Sequence, residues 1–511
     1  MHVPLSIADF LHRAMMVHGD RPGVIDEPSP PGGGLGVVTY RDVDRLARAQ
    51  AARLDQLGYE RGTRVAVVSQ NSARLLISMF GVAGYGRVLV PINFRLTSEE
   101  IAYIVEHSGA SMLLVDPELE ALCSDIKVDH QLVLGADSDA DLYLEGVDPE
   151  PWDPDETATA TINYTSGTTA RPKGVQITHR NTWLNAATFG WHIGVSERDV
   201  YLHTLPMFHC NGWGMPFALA GMGVPQVVLR KVDGAEILRR IDEHGVTLLC
   251  GAPAVVAAIL EAAKTWDGPV PGAGRTRMVV AGAPPPTRTI ERLETELGWE
   301  FIQIYGLTET SPILTIHRGR PEYDELTPAD RASQLGKQGP PAVGVRIKVD
   351  PEGEVLARSN TVFEGYWEQP EATAAALEGG WFHTGDGGVL DDAHRLMITD
   401  RKKDVIITGG ENVSSIEVED ALFSHPDVAE VAVIGVPDEK WGETIKALVV
   451  LGDAGSADEA ALIAWCRERL PHFKCPTSVE LRDELARTAT GKLQKYKLRA
   501  PYWEGRERQV N

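Results

Sequence analysis

Hydrophobic positions along the first 400 residues follow two rhythms. Short continuous apolar runs, Arg64-Val-Ala-Val-Val-Ser69, Val88-Leu-Val-Pro91 and Met112-Leu-Leu-Val115, read as strands buried on both faces. Between them apolar residues recur at helical spacing, over 72–84 and again from Leu96. Thr97 and Glu100 stand at capping-box spacing there, which marks a helix start. The same alternation returns at Thr247-Leu-Leu-Cys250 and Met278-Val-Val-Ala281. It predicts an α/β class with parallel-rich sheets. From about 336 the pattern changes. Val345-Arg-Ile-Lys-Val349, the turn Asp350-Pro-Glu-Gly353 and Glu354-Val-Leu-Ala357 predict a hairpin. Leu396-Met-Ile-Thr399 follows a further turn, completing a small antiparallel, barrel-like β unit. Beyond 400 a compact α+β unit is expected. Its helices fall over 415–424 and 458–470, and its strands over 429–435 and 446–451. The expected division is 1–399, a large α/β domain, and 400–511, a smaller one. No fixed-period repeat is present.

Length and composition agree with this division. A chain of 511 residues exceeds the ~250–300 residues at which single cores stop growing. With 43% hydrophobic and 24% charged residues it is an ordinary globular composition, not a collagen, a disordered chain or a disulfide miniprotein. Basic residues number 49 against 72 acidic ones, a formal net charge of −23. Such a field repels nucleic acid and anionic membranes, so neither is an expected partner. An anionic ligand needs a local positive site. The five cysteines, Cys123, Cys210, Cys250, Cys466 and Cys475, include no CxxC pair, which points to a reducing compartment, the cytoplasm. The first residues lack a secretory pattern, and the apolar segment 214–229 is broken by Gly and Pro, so no membrane span is expected. Fourteen lysines against 35 arginines, with abundant Ala and Gly, suggest a GC-rich bacterial genome.

The first chemical signal is Tyr164-Thr-Ser-Gly-Thr-Thr-Ala-Arg-Pro-Lys-Gly-Val175, directly after a strand-like run over 158–164. Small residues let backbone N–H groups approach a polyphosphate, hydroxyls add donors and Lys173 adds charge. It is not a Walker A loop, and composition alone does not separate it from a solvated Thr/Gly turn. Four further segments change that balance: Tyr305-Gly-Leu-Thr-Glu-Thr310, His383-Thr-Gly-Asp-Gly-Gly388, Asp400-Arg-Lys-Lys-Asp-Val-Ile-Ile-Thr-Gly-Gly-Glu-Asn412 and Arg487-Thr-Ala-Thr-Gly-Lys-Leu493. In order and separation the five together resemble the signature set of the adenylate-forming superfamily. Its members are acyl-CoA synthetases, peptide-synthetase adenylation domains and luciferases. One departure is Ala170, where the family usually has Gly.

The resemblance implies a two-step reaction with ATP, Mg²⁺ and coenzyme A. An acid is first activated as an acyl adenylate and then transferred to a thiol. It implies that Thr165, Ser166, Gly167, Thr168, Thr169 and Lys173 wrap the β- and γ-phosphates, and that Glu309 and Thr165 serve Mg²⁺. Tyr305 would lie against adenine, with Gly306 leaving space beside Thr308, and Gly282, Ala283 and Pro284 would form the opposite wall. Asp386 and Arg401 would hold the ribose. Lys492 would bridge the substrate carboxylate and the α-phosphate. Asp400 would be the hinge about which a mobile lid, 400–511, rotates against an ATP- and acyl-binding domain, 1–399, and Gly409 and Gly410 would line the pantetheine tunnel. The segment Leu205-Pro-Met-Phe-His-Cys-Asn-Gly-Trp213 resembles the region where CoA ligases carry a gate, here His209. Amino-acid-activating relatives have Asp there, so an α-amino acid is not expected. Trp213, Gly214 and Met215 make an apolar wall. A hydrophobic monocarboxylic acid is therefore expected, with medium-chain, aryl and polycyclic acids all open. Lys403 and Lys474 are candidates for the CoA 3′-phosphate. A carrier protein in trans is the alternative acceptor. An oxygenase or a silent binding protein are the other readings, and a homodimer stays open.

Overall fold

The computed structural model describes residues 1–165, 171–402, 404–409, 411–438, 440–452, 454–487 and 493–504. Among the described residues the strands form four sheets. The apolar runs cannot leave either face in water, so they occupy sheet interiors covered by helices. One sheet runs Gly365–Tyr366, Lys173–Thr178, Thr159–Thr165, Val88–Ile92, Arg64–Val68, Met112–Val115 and His130–Val133. Its last four strands are parallel, and the hairpin of Thr159–Thr165 with Lys173–Thr178 is antiparallel. A larger sheet carries Tyr201–His203, Leu248–Gly251, Arg277–Val280 and Glu300–Gly306 in parallel. It ends in the antiparallel strand Ile313–Arg318. The third is antiparallel: Arg346–Val349, Glu354–Arg358, Phe382–Leu390 and Leu396–Arg401. The fourth belongs to the C-terminal segment and is built on the long pair Val428–Asp438 and Gly442–Leu451.

Local signals account for most element ends. Ser98–Ser108 starts with the Thr97–Glu100 capping box and stops at Gly109 in a left-handed conformation. The helix expected over 72–84 is shorter. It runs Ala73–Gly81, with Ser72 accepting a bond from the Leu75 amide, and passes into a tight turn at Ala83–Tyr85. Every residue of that helix is buried, so apolar periodicity could not mark its end. The helix expected over 458–470 runs Glu459–Arg467, capped by Asp458. Both C-terminal strands extend beyond their apolar centres into the polar hairpin joining them. No helix among the described residues is long and apolar enough to cross a membrane.

The expected boundary at 400 falls inside a strand. Arg401 still pairs with Asp386, and Asp400 with Gly387, in the antiparallel sheet. The Asp400 carboxylate, however, reaches the next unit: Oδ2 accepts from the Ser415 amide at 2.8 Å and from its hydroxyl. Lys495 completes this junction. Its ammonium lies 2.7 Å from Glu419 Oε1 and donates to the Ser415 hydroxyl, with only 11% of its side chain exposed. Two direct contacts also join the C-terminal helix Ser415–Phe423 and its following turn to the larger unit. Asp420 accepts from the Thr287 amide at 2.9 Å and from its hydroxyl at 3.1 Å, and Arg288 donates to the His425 carbonyl.

Two measurements follow from buried polar groups. Lys495→Met leaves Glu419 enclosed without its counter-charge and is expected to lower stability by about 3–5 kcal/mol, read from urea unfolding. His179 and His203 are both buried, and burial pushes each imidazole down to about 4 from 6.5. The unfolded chain therefore binds more protons than the folded one between pH 6.5 and 4. Stability should be full above pH 6.5 and fall by roughly 1–2 kcal/mol per histidine by pH 5. His203→Gln should make that fall shallower in the same titration.

Candidate functional site

Parallel strands buried on both faces offer ligands little access along their length, and ligands in such sheets collect beyond the carboxyl ends. The candidate residues lie there. Thr165 ends Thr159–Thr165 and is the cross-strand partner of Lys173. Gly282 follows Arg277–Val280 with φ +92°, and open space lies where a Cβ would project. Tyr305 and Gly306 end Glu300–Gly306, and Glu309 stands in the tight turn Thr308–Thr310 that follows. Gly306 has a structural reason of its own. A Cβ there would lie 1.6 Å from the Pro312 carbonyl oxygen, so the turn into the antiparallel strand excludes any side chain.

Two clusters result. In the first, the Tyr305 hydroxyl donates to Asp386 Oδ2 at 2.8 Å, and Arg401 Nε sits 3.3 Å from Asp386 Oδ1. The antiparallel register brings Asp386 and Arg401 opposite each other. Asp386 is 4% exposed, so its oxygens must find partners within the protein. Burial, reinforced by the Asp386 carboxylate, raises the Tyr305 phenol well above its ordinary value, so it remains a donor. A carboxylate offers about four lone-pair directions, and two are used here, which leaves capacity for a vicinal diol.

The second cluster contains a residue that the sequence reading missed. Lys173 Nζ lies 4.6 Å from the centre of the Tyr366 ring, and the Tyr366 hydroxyl donates to Glu309 Oε1 at 2.9 Å. Tyr366 arrives through the two-residue strand Gly365–Tyr366, paired to Val175 and Gln176 beside Lys173. The Phe363 amide donates to the Glu309 carbonyl at 2.8 Å and fixes the same approach from the other side. Burial, then Glu309, raises the Tyr366 phenol well above its usual value. Its sequence signal was only an aromatic doublet, Tyr366-Trp367, in an otherwise polar loop. The Glu309 carboxylate and Thr165 hydroxyl are hard oxygen donors, which fit Mg²⁺.

His209 opens an unusual turn. Cys210, Asn211, Gly212, Trp213 and Gly214 all have positive φ, from 39° to 78°, a consecutive left-handed run. Asn185 pins it, donating to the Trp213 carbonyl at 3.1 Å and accepting from the Ile313 amide at 3.3 Å. Trp213 and Met215 pack into a core with Leu205, Cys250, Ile304 and Ile313. Gly409 has φ +60°, and a Cβ there would come 2.8 Å from the Trp441 ring. Lys474 is ion-paired to Glu417 at 2.7 Å, so it is less available to a phosphate than its sequence position suggested. Ser166, Gly167, Thr168, Thr169, Ala170, Lys403, Gly410 and Lys492 lie outside the described residues.

Known proteins resemble this chain in sequence and in fold. Residues 11–367 match the AMP-binding enzyme family and 417–492 match the AMP-binding enzyme C-terminal domain. A 4-hydroxybutyrate–CoA ligase of Metallosphaera sedula is 37% identical over 96% of this chain and 93% of its own. A 2-methylpropanoate–CoA ligase of Humulus lupulus is 35% identical over 97% and 95%. Among solved structures, an anthranilate CoA ligase in complex with anthranoyl-AMP superposes with a TM-score of 0.88 at 27% identity, covering 98% of both chains. The o-succinylbenzoate CoA synthetase of Bacillus subtilis, with its acyl-adenylate intermediate, gives 0.82 at 30% identity over 96% and 97%. The chain belongs to the AMP-binding enzyme family and is an AMP-forming acyl-CoA synthetase, which uses ATP to activate a carboxylic acid and passes the acyl group to coenzyme A.

Proposed function

We propose that the two clusters divide the nucleotide between them and that the acid is a hydrophobic monocarboxylate. The observation that carries this is the convergence of Tyr305–Asp386–Arg401 and Lys173–Tyr366–Glu309 beyond the carboxyl ends of the parallel strands. Asp386 accepts from the ribose hydroxyls, Arg401 supports it, and Tyr305 with Gly282, Ala283 and Pro284 encloses adenine. Lys173 and Thr165, with residues 166–169, hold the β- and γ-phosphates. Glu309 and Thr165 hold Mg²⁺, which supplies charge neutralisation across the phosphate oxygens when bound.

The chemical obstacle is that one anion attacks another. A carboxylate oxygen must approach the α-phosphate in line while pyrophosphate departs. Lys492 is the cation proposed to sit between them, stabilising charge that develops only in the transition state. In the second step the thiol sulfur attacks the acyl carbonyl carbon and AMP leaves. Gly409 and Gly410 then flank the pantetheine arm, and Asp400 is the hinge between 1–399 and the lid 400–511 that exchanges the two steps. His209 gates acid entry. The apolar residues Trp213, Gly214 and Met215 support an uncharged acyl chain, as do relatives named for 2-methylpropanoate and anthranilate. Five free, buried cysteines support a reducing compartment such as the cytoplasm.

Pyrophosphate release over a panel of aliphatic and aryl acids, with and without CoA, tests the reading. One apolar acid should stand well above the rest and yield its CoA thioester. Release with no thioester, but acyl transfer to a phosphopantetheinylated carrier protein, would replace the acceptor. Lys492→Ala should slow adenylation about 10²–10³-fold while leaving thioester formation from a supplied acyl adenylate within a few-fold. Asp400→Pro should do the reverse, and equal loss in both half-reactions would count against the hinge.

A further inference from the structure

A phosphate-binding cation and a metal-binding carboxylate placed within a few ångströms attract each other. Left alone, they form an ion pair in which each cancels the other and neither is free for a ligand. Lys173 and Glu309 both contact Tyr366. Its ring takes the Lys173 ammonium at 4.6 Å, and its hydroxyl takes Glu309 Oε1 at 2.9 Å. A ring face holds a cation without neutralising it, because the attraction is to a quadrupole and not to a charge. A phenol hydroxyl orients a carboxylate without neutralising it, and it occupies one oxygen while leaving the other free. The strand Gly365–Tyr366 fixes the side chain from its backbone, paired with the strand that begins at Lys173.

We propose that Tyr366 is a positioning residue that keeps the phosphate-binding Lys173 and the metal-binding Glu309 apart and separately aimed. The assignment rests on the roles given above to Lys173 and Glu309. Its two contacts are separable. Tyr366→Phe keeps the ring and removes the hydroxyl, so Glu309 loses its orienting bond while Lys173 keeps its seat. Tyr366→Leu removes both, and the two charges can then meet.

Calorimetric titration with Mg·ATP, and with ATP in excess EDTA, reads binding directly and without turnover. The Phe variant should bind Mg·ATP roughly 10–100-fold more weakly, the range for loss of a bond that orients a metal ligand. It should bind metal-free ATP within twofold of the parent. The Leu variant should lose affinity for both. A merely structural role would weaken the two titrations equally in the Phe variant, or neither, and either result overturns the proposal. Unchanged thermal unfolding of the Phe variant shows that the fold is intact. Glu309→Gln separates this proposal from its premise. If it binds Mg·ATP normally, the metal role of Glu309 falls, and that of Tyr366 with it. If Glu309→Gln weakens Mg·ATP and Tyr366→Phe does not, the role of Tyr366 alone falls.

Discussion

Burial of the parallel strands on both faces is the constraint from which the rest of this molecule follows. Strands such as Met112–Val115 and Leu248–Gly251 have no exposed residue, so they offer ligands little access along their length. Helices cover both sides, and the chain can display chemistry only where strands stop. Thr165, Gly282, Tyr305 and Glu309 are therefore strand-end or post-strand residues, drawn from separate parts of the sequence. The antiparallel unit then supplies Asp386 and Arg401, which its cross-strand register sets face to face.

The net charge of −23 gives this arrangement a particular character. ATP and CoA are polyanions, so the surface as a whole does not steer them inward. Attraction has to be local and protected from the carboxylates nearby. Arg401 beside Asp386 and Lys173 beside Tyr366 show two ways of achieving it. The first cation is half-committed to a buried carboxylate. The second sits over an aromatic ring face.

The fold class and the order of the motifs were legible because each has a local cause. Apolar runs report double burial, the Thr97–Glu100 pair reports a helix start, and the hairpin at 350–353 reports a reversal. Helix ends inside the core were less legible, since Ala73–Gly81 is buried all round and its apolar pattern does not mark where it stops. In the site, Asp386, Arg401, Tyr305 and Glu309 could be named from the motifs that contain them. Tyr366 could not, because its importance comes from a two-residue strand pairing with a hairpin almost 200 positions earlier. The left-handed run from Cys210 to Gly214 was equally hidden. Only two of its five residues are glycines, and a Trp and a Cys give no hint of positive φ. Lys495 read as one of several tail lysines, yet it is enclosed beside Glu419, a difference set by packing and not by spacing.

Asp400 belongs to two bodies at once, by its backbone to a strand ladder and by its carboxylate to Ser415. A short carboxylate thus ties the strand ladder to the first turn of Ser415–Phe423, with both bonds to Ser415 made by one oxygen, Oδ2. Oδ1 accepts from the Arg401 amide at 2.8 Å, so the side chain is anchored at the ladder end as well. A glutamate would carry the same negative charge on an arm one carbon longer, adding a torsion and loosening the tie.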